Sequence, residues 1–301
     1  MRLPISTPTR LMLACLLSMS SALACANTLE RVRASHTLTL GYLPHFAPFS
    51  SEDGYKASGY AIELCLKIAD KVKTELGLSA LQVRYQSVET TDEMNAVGAG
   101  KVDILCTPTP PTLERRKTVS FTVPVYTAGL SVVVRQGAPE TLLNVLNGKV
   151  AHTGPTWRAT VNQGLANQTY ATTAGGITQT WIRQQMHLLG VVATLVTVDS
   201  IDDGLKRVAE GKADAFFAER MMLENRLSTA YPAGNLRLLA RIFEYSPAAM
   251  AVDRDDDDFR LLVDTALSEM YRSGEIEKAY DNYLGGVSDT DRKLFKVYAI
   301  P

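Results

Sequence analysis

The chain has 301 residues, 46% of them hydrophobic and 21% charged, and its 31 basic and 32 acidic side chains leave a formal charge of −1. That balance lacks both the basic excess of a nucleic-acid binder and the low hydrophobicity with high net charge of a disordered chain. At roughly 150 residues per domain, the length predicts a soluble globular protein of one large domain or two lobes, with apolar material for a sizeable core.

The chain opens on an export pattern. Arg2 and Arg10 give a positive start, residues 11–17 are apolar, and Ala22, Ala24 and Ala26 supply the small residues of a cleavage site, so residues 1–26 read as a secretory signal peptide. The apolar stretch is shorter than the roughly 20 residues that cross a bilayer, and no later run reaches that length, so the mature chain is expected to be exported and not membrane-embedded. The Ala-Leu-Ala-Cys sequence ending at Cys25 is similar to a lipoprotein box, but Ala22 stands where Leu is usual, and release without lipidation is the expectation. Cleavage leaves Cys65 and Cys106 in a compartment that permits disulfides. Their pairing closes a loop of about 40 residues and stabilises by roughly 4 kcal/mol in the chain-entropy account. The alternative is two buried reduced cysteines acting as small hydrophobes.

Strand-like and helix-like stretches then alternate. Residues 37–42 alternate polar and apolar as a strand, and Ile62, Cys65, Leu66 and Ala69 recur at helical spacing. A strand is predicted near residues 81–85, a helix through 94–97, a stop at Gly100-Lys101 and a strand over 102–106, an alternation of the α/β kind. The segment Asn95-Ala96-Val97-Gly98-Ala99-Gly100-Lys101-Val102-Asp103-Ile104-Leu105 is echoed by Lys206-Arg207-Val208-Ala209-Glu210-Gly211-Lys212-Ala213-Asp214-Ala215-Phe216. In each, a helix stops at Gly, the chain turns through Lys, and an apolar run begins after Asp, so two similar α/β lobes are expected. Ligands of open α/β sheets bind outside the carboxyl ends of the strands. After the first echoed strand come Thr107-Pro108-Thr109-Pro110-Pro111 and Leu113-Glu114-Arg115-Arg116-Lys117; after the second comes Ala218-Glu219-Arg220. A guanidinium from one lobe and a carboxylate from the other, converging on a cleft, suit a zwitterion.

Further along the chain stand Pro48-Phe49, Gly59-Tyr60-Ala61-Ile62-Glu63-Leu64-Cys65, Gly148-Lys149-Val150-Ala151, Gly211-Lys212-Ala213-Asp214-Ala215-Phe216-Phe217-Ala218 and Tyr271-Arg272-Ser273-Gly274-Glu275-Ile276. In their order and spacing these segments, with the Arg115 motif, resemble the extracytoplasmic substrate-binding proteins of polar amino-acid ABC transporters, and within them the glutamate/aspartate-binding-like branch. The resemblance implies a periplasmic binding protein-like type II fold: two α/β lobes joined by two hinge strands, with a ligand cleft between. Lobe one would hold residues 27–124 and 250–301, lobe two residues 130–244, and the hinges would lie at about 125–129 and 245–249. It further implies a monomer that binds a small amino acid or related carboxylate, closes by a hinge and delivers its ligand to an inner-membrane permease, with no cofactor and no nucleic-acid partner.

Carried over residue by residue, the carboxylate-clamping arginine matches Arg115, whose planar fork suits bidentate recognition. The acid that holds the ligand's ammonium matches Glu219, where Asp is commoner, and the alternative is a solvated carboxylate or one paired with Arg220. Phe46 matches the aromatic wall. Gly154-Pro155-Thr156-Trp157 matches a Gly-Thr-Thr segment at a helix start, which makes Thr156 a contact through free N–H groups, with Trp157 either reaching the cleft or packing between lobes. Thr109 stands on a family Thr, but Pro110 replaces a Thr that serves both carboxylate and amine, and Leu43 stands where the branch has a basic residue. A less polar amino acid, or a small carboxylate without a standard amine, therefore fits better than an acidic one. The alternatives are an enzyme of the same fold, cyclohexadienyl dehydratase-like, with Glu219 as general acid, and a ligand sensor for a membrane receptor. His36, His45, His152 and His187 have no metal-type spacing, and the acidic run 253–258 lacks the glycine of a calcium loop and reads as a helix start. Neither metal nor catalytic residues are expected.

Overall fold

The computed structural model describes residues 27–54, 56–149, 162–231 and 234–301. The strands are β1 (Thr37–Tyr42), β2 (His45–Phe46), β3 (Ser50–Asp53), β4 (Lys56–Ser58), β5 (Gln82–Ser87), β6 (Ile104–Thr109), β7 (Val119–Arg135), β8 (Thr169–Thr173), β9 (Thr194–Val198), β10 (Ala215–Glu219), β11 (Leu236–Leu238) and β12 (Glu244–Asp253). The helices are α1 (Thr28–Ser35), α2 (Tyr60–Glu75), α3 (Glu93–Gly98), α4 (Glu140–Leu146), α5 (Ile177–Leu189), α6 (Ile201–Ala209), α7 (Arg220–Ala230), α8 (Asp257–Ser273), α9 (Glu275–Tyr283) and α10 (Asp289–Tyr298). None of the described helices is long and apolar enough to cross a membrane.

One sheet organises the protein, in the order β5-β1-β6-β12-β7-β10-β8-β9 with β11 on β7, while β2, β3 and β4 form a small separate sheet. The order is the same read from either end. The unit β1-α2-β5-α3-β6 places its strands second, first, third, and so does β8-α5-β9-α6-β10, with parallel pairing inside each unit. Between the two units run β7 and β12, antiparallel to one another. β7 has 17 residues, about 57 Å of extended chain, so it passes from one lobe into the other.

The sequence echo is reproduced at the level of single hydrogen bonds. Gly100 and Gly211 adopt φ of 66° and 75°, the left-handed turn that glycine allows, and Lys101 and Lys212 then donate back to Ala96 and Arg207. Asp103 donates its N–H to Thr39 O at 2.9 Å and accepts the Thr39 N–H on its carboxylate at 2.7 Å. Asp214 does the same with Thr169, at 2.8 Å in both directions. Each carboxylate also meets an arginine, Arg31 for Asp103 and Arg135 for Asp214. Each Asp thereby locks the start of a third strand to the start of a first one.

Elements differ from the sequence reading in two instructive places. Leu66, placed on the buried face of α2, is 38% exposed; the face runs instead through Ile62, Cys65, Ile68, Ala69 and Val72. The strand predicted over 102–106 runs over Ile104–Thr109, because Val102 and Asp103 are spent on the turn and on Thr39. Pro108 is tolerated within it because the register with β12 slips between Ala249 and Ala251, a bulge where no ladder N–H is needed.

Cys65 of α2 and Cys106 of β6 form a disulfide, 41 residues apart in sequence, so the expected pairing is present and the reduced alternative is not. Apolar side chains cover both faces of the sheet. Tyr60, Leu64, Ile68, Phe259 and Leu267 pack on one face of the first lobe, Leu43, Val97, Leu105 and Phe121 on the other, and Val132, Leu142 and Phe217 fill the second lobe. Cys65→Ser/Cys106→Ser is expected to lower unfolding stability in urea by up to about 4 kcal/mol while leaving the native far-UV spectrum unchanged.

Candidate functional site

β6 and β10 flank the β12–β7 pair and run in opposite directions, since β6 is antiparallel to β12 and β10 antiparallel to β7. Their carboxyl ends therefore point at one another. Thr109 at the end of β6 sits opposite Ala249, and Glu219 at the end of β10 sits opposite Leu130, which in turn faces Glu244. The two ends are thus offset by five residues of β12, about 17 Å, a span suited to one small solute.

On the β6 side, the chain leaves Thr109 through Pro110-Pro111 and makes a short 3-10 turn at Arg115–Lys117. Thr112 sets that turn, its Oγ1 accepting the Arg115 N–H at 3.2 Å. Arg115 donates from Nη1 to the Pro110 carbonyl at 3.1 Å and from Nη2 to Glu93 Oε1 at 3.0 Å. Pro110 lacks a hydroxyl and an N–H, but its carbonyl orients the guanidinium. Glu93 begins α3 and is 5% exposed. Burial pushes its carboxyl above the usual range, while the Arg115 guanidinium and the Thr109 hydroxyl hold it down. Thr109 is buried, its hydroxyl 3.4 Å from Glu93 Oε2 and 3.3 Å from Thr107 O. Leu43 is buried in the apolar cluster around β6, with its N–H on Thr107.

On the β10 side, Glu219 is half-buried and caps α7, accepting the Met222 N–H on Oε2 at 3.0 Å. Its Oε1 accepts from Tyr126 OH at 2.9 Å and Gly129 N–H at 3.4 Å. Desolvation raises its carboxyl to about 7, although these donors pull the other way. Arg220 turns away to Glu224 and to the Leu239 carbonyl, so Glu219 is not its partner.

Phe46 is half-buried beside Phe49, ring centroids 6.1 Å apart, and Phe49 lies 4.7 Å from Tyr126. A chain of contacts thus runs from Phe46 through Phe49 and Tyr126 to Glu219. Thr156 and Trp157, with His152, lie outside the described residues. The structure adds Glu93 and Tyr126 to the residues read from sequence. Tyr126 lay within the predicted hinge, but an acid at a helix start reads from sequence as a partner of the helix dipole, and nothing in the residue string links Glu93 to Arg115. The acidic run 253–258 opens α8: Asp256 accepts the Phe259 and Thr28 N–H groups. Among the described residues, no group of three His, Cys, Asp or Glu side chains is arranged to hold a metal.

Residues 38–286 match the family of bacterial extracellular solute-binding proteins, family 3. The chain belongs to that family. A Pseudomonas aeruginosa L-glutamate/L-aspartate-binding protein is 26% identical over 259 residues, covering 85% of this chain and 79% of that one. Among solved structures, a mutant of ArgBP from T. maritima superposes with a TM-score of 0.67 at 18% identity, covering 85% of this chain and 99% of its own. An ancestral amino acid-binding protein, a precursor of cyclohexadienyl dehydratase, gives 0.67 at 20% identity, covering 86% and 99%. These likenesses agree in a two-lobed type II fold with a ligand cleft between the lobes.

Glu219 gives the family fold here a pH signature. Its carboxyl rises from 4.5 to about 7 on folding, so the folded chain holds the extra proton between those values. Stability is therefore full below about pH 4.5 and falls as pH rises towards 7, by up to about 3 kcal/mol. Urea midpoints of Glu219→Gln are expected to lose this decline relative to wild type, while the raised carboxyls of Glu93 and Asp264 still contribute with the same sign.

Proposed function

We propose that this protein is the periplasmic capture component of an ABC uptake system, binding a small amino acid or related carboxylate between its lobes and delivering it to a membrane permease as a monomer. The supporting observation is the opposition of two strand ends across the β7–β12 pair, with Arg115 beyond one and Glu219 at the other. Arg115 takes the ligand carboxylate through its fork, Phe46 walls the apolar stem, and Glu219 faces the amine. Glu219 retains acceptor capacity on Oε2, and an ammonium placed there stabilises its charged form. The lobes are taken as residues 27–124 with 250–301, and 130–244. The hinges are taken as 125–129 and 245–249, where Gly129 lies opposite Tyr245 and Tyr126 opposite Ala248, with a register shift between Ala248 and Ala249. Export rests on the signal-like residues 1–26 and on the extracellular character of the family.

One observation favours a second reading: a carboxyl at about 7 beside a cleft is suited to general-acid work, as in a dehydratase of this fold. Turnover of a prephenate-like substrate that vanishes in Glu219→Gln is the result that would establish it. On the binding reading no turnover is expected, and the melting temperature rises with ligand concentration in a screen of amino acids and small organic acids. Arg115→Ala is expected to cost about 2 to 5 kcal/mol of affinity, because a desolvated ligand carboxylate loses its partner. A variant that keeps the wild-type thermal shift removes Arg115 from the site.

A further inference from the structure

Arg115 carries five N–H donors, and the protein spends two of them, on Pro110 O and on Glu93 Oε1. The remaining three include enough for a two-pronged grip on one carboxylate. The pair is largely withdrawn from solvent, with side-chain exposures of 17% for Arg115 and 7% for Glu93. Both Glu93 oxygens are engaged, Oε1 by the guanidinium and Oε2 by Thr109. The clamp is therefore held from behind by an acid, and its charge is already balanced before any ligand arrives.

Consider what that does to an incoming solute. A first carboxylate on the free prongs is tolerated, because the guanidinium lies between it and Glu93. A second carboxylate meets two protein acids, Glu93 at the start of α3 beside the end of β6 and Glu219 at the end of β10, and at the Leu43 position an apolar side chain buried in the core. We propose that Glu93 is a positioning and specificity-determining residue of the clamp: it fixes the Arg115 fork and selects ligands with a single carboxylate, neutral or cationic overall, against dicarboxylates. This rests on the binding function proposed above and narrows its ligand class away from the acidic amino acids named for the Pseudomonas aeruginosa relative.

The test is calorimetric titration of the full mature chain, its Glu93→Gln variant and its Glu93→Ala variant with the twenty common amino acids, propanoate and succinate. In the wild type, glutamate, aspartate and succinate are expected to bind at least about tenfold more weakly than the best monocarboxylate, the size of one added like-charge contact in a partly buried site. Glu93→Gln keeps a hydrogen-bond acceptor for Arg115 and is expected to narrow the glutamate-to-glutamine gap by about tenfold. Glu93→Ala releases the fork and is expected to weaken all carboxylates together. A wild type that prefers a dicarboxylate overturns the inference, as does a glutamate-to-glutamine ratio unchanged in Glu93→Gln. Should Glu93→Gln fail to fold, the wild-type ratio decides alone. A wild type that answers none of these probes sinks the binding function itself and this inference with it.

Discussion

The antiparallel pairing of β7 with β12 is the constraint from which the site follows. Because β6 pairs with β12 and β10 with β7, the two lobes are attached to opposite sides of one ribbon, and their third strands must run towards each other. The proposed ligand-binding pair, Arg115 and Glu219, 104 residues apart in sequence, is thereby assigned to the two sides of one gap. Neither lobe could present both groups by itself. The family's two-lobed design depends less on the helices that pack the sheet than on the register of this ribbon.

Within that frame the two ionic groups are prepared differently. Arg115 is held by a carboxylate and a carbonyl, so its fork is oriented in advance and costs little ordering when a ligand arrives. Glu219 is held by Tyr126, Gly129 and the N–H groups at the start of α7 yet remains raised by burial, which leaves it responsive to whatever cation comes near. One end of the site is a fixed fork and the other a carboxyl near its titration point. On the proposed binding function, the arginine confers geometry and the glutamate sensitivity to the ligand's charge.

Much of the fold was legible because its determinants are local and occur twice. The Gly-Lys-x-Asp echo encodes a left-handed stop and an aspartate that ties two strand starts together, and both copies do this through the same atoms. The pairing of Cys65 with Cys106 was legible from the exported compartment. The Arg115 support was not. Glu93 and Arg115 are 22 residues apart on a helix start and a loop, and their contact exists only because α3 packs beside the end of β6. Leu66 was misplaced for a related reason: helical spacing identifies a stripe but not its centre, which the neighbouring α8 and α9 decide.

Three tyrosine hydroxyls from lobe-one elements reach the ribbon where it leaves that lobe. Tyr271 donates to Pro124 O, Tyr60 to Val125 O at 2.6 Å, and Tyr298 shares a hydrogen bond with Thr127 Oγ1. β7 is therefore tied down by hydroxyls at Pro124, Val125 and Thr127. Under the hinge proposed above, bending falls to the few residues beyond them, around Ala128 and Gly129 and their partners Ser246 and Tyr245. Glu219 touches that same stretch through Gly129. Under the proposed hinge and ligand roles, the pivot and the amine-facing acid are joined by one hydrogen bond, so what settles on the acid is felt at the pivot.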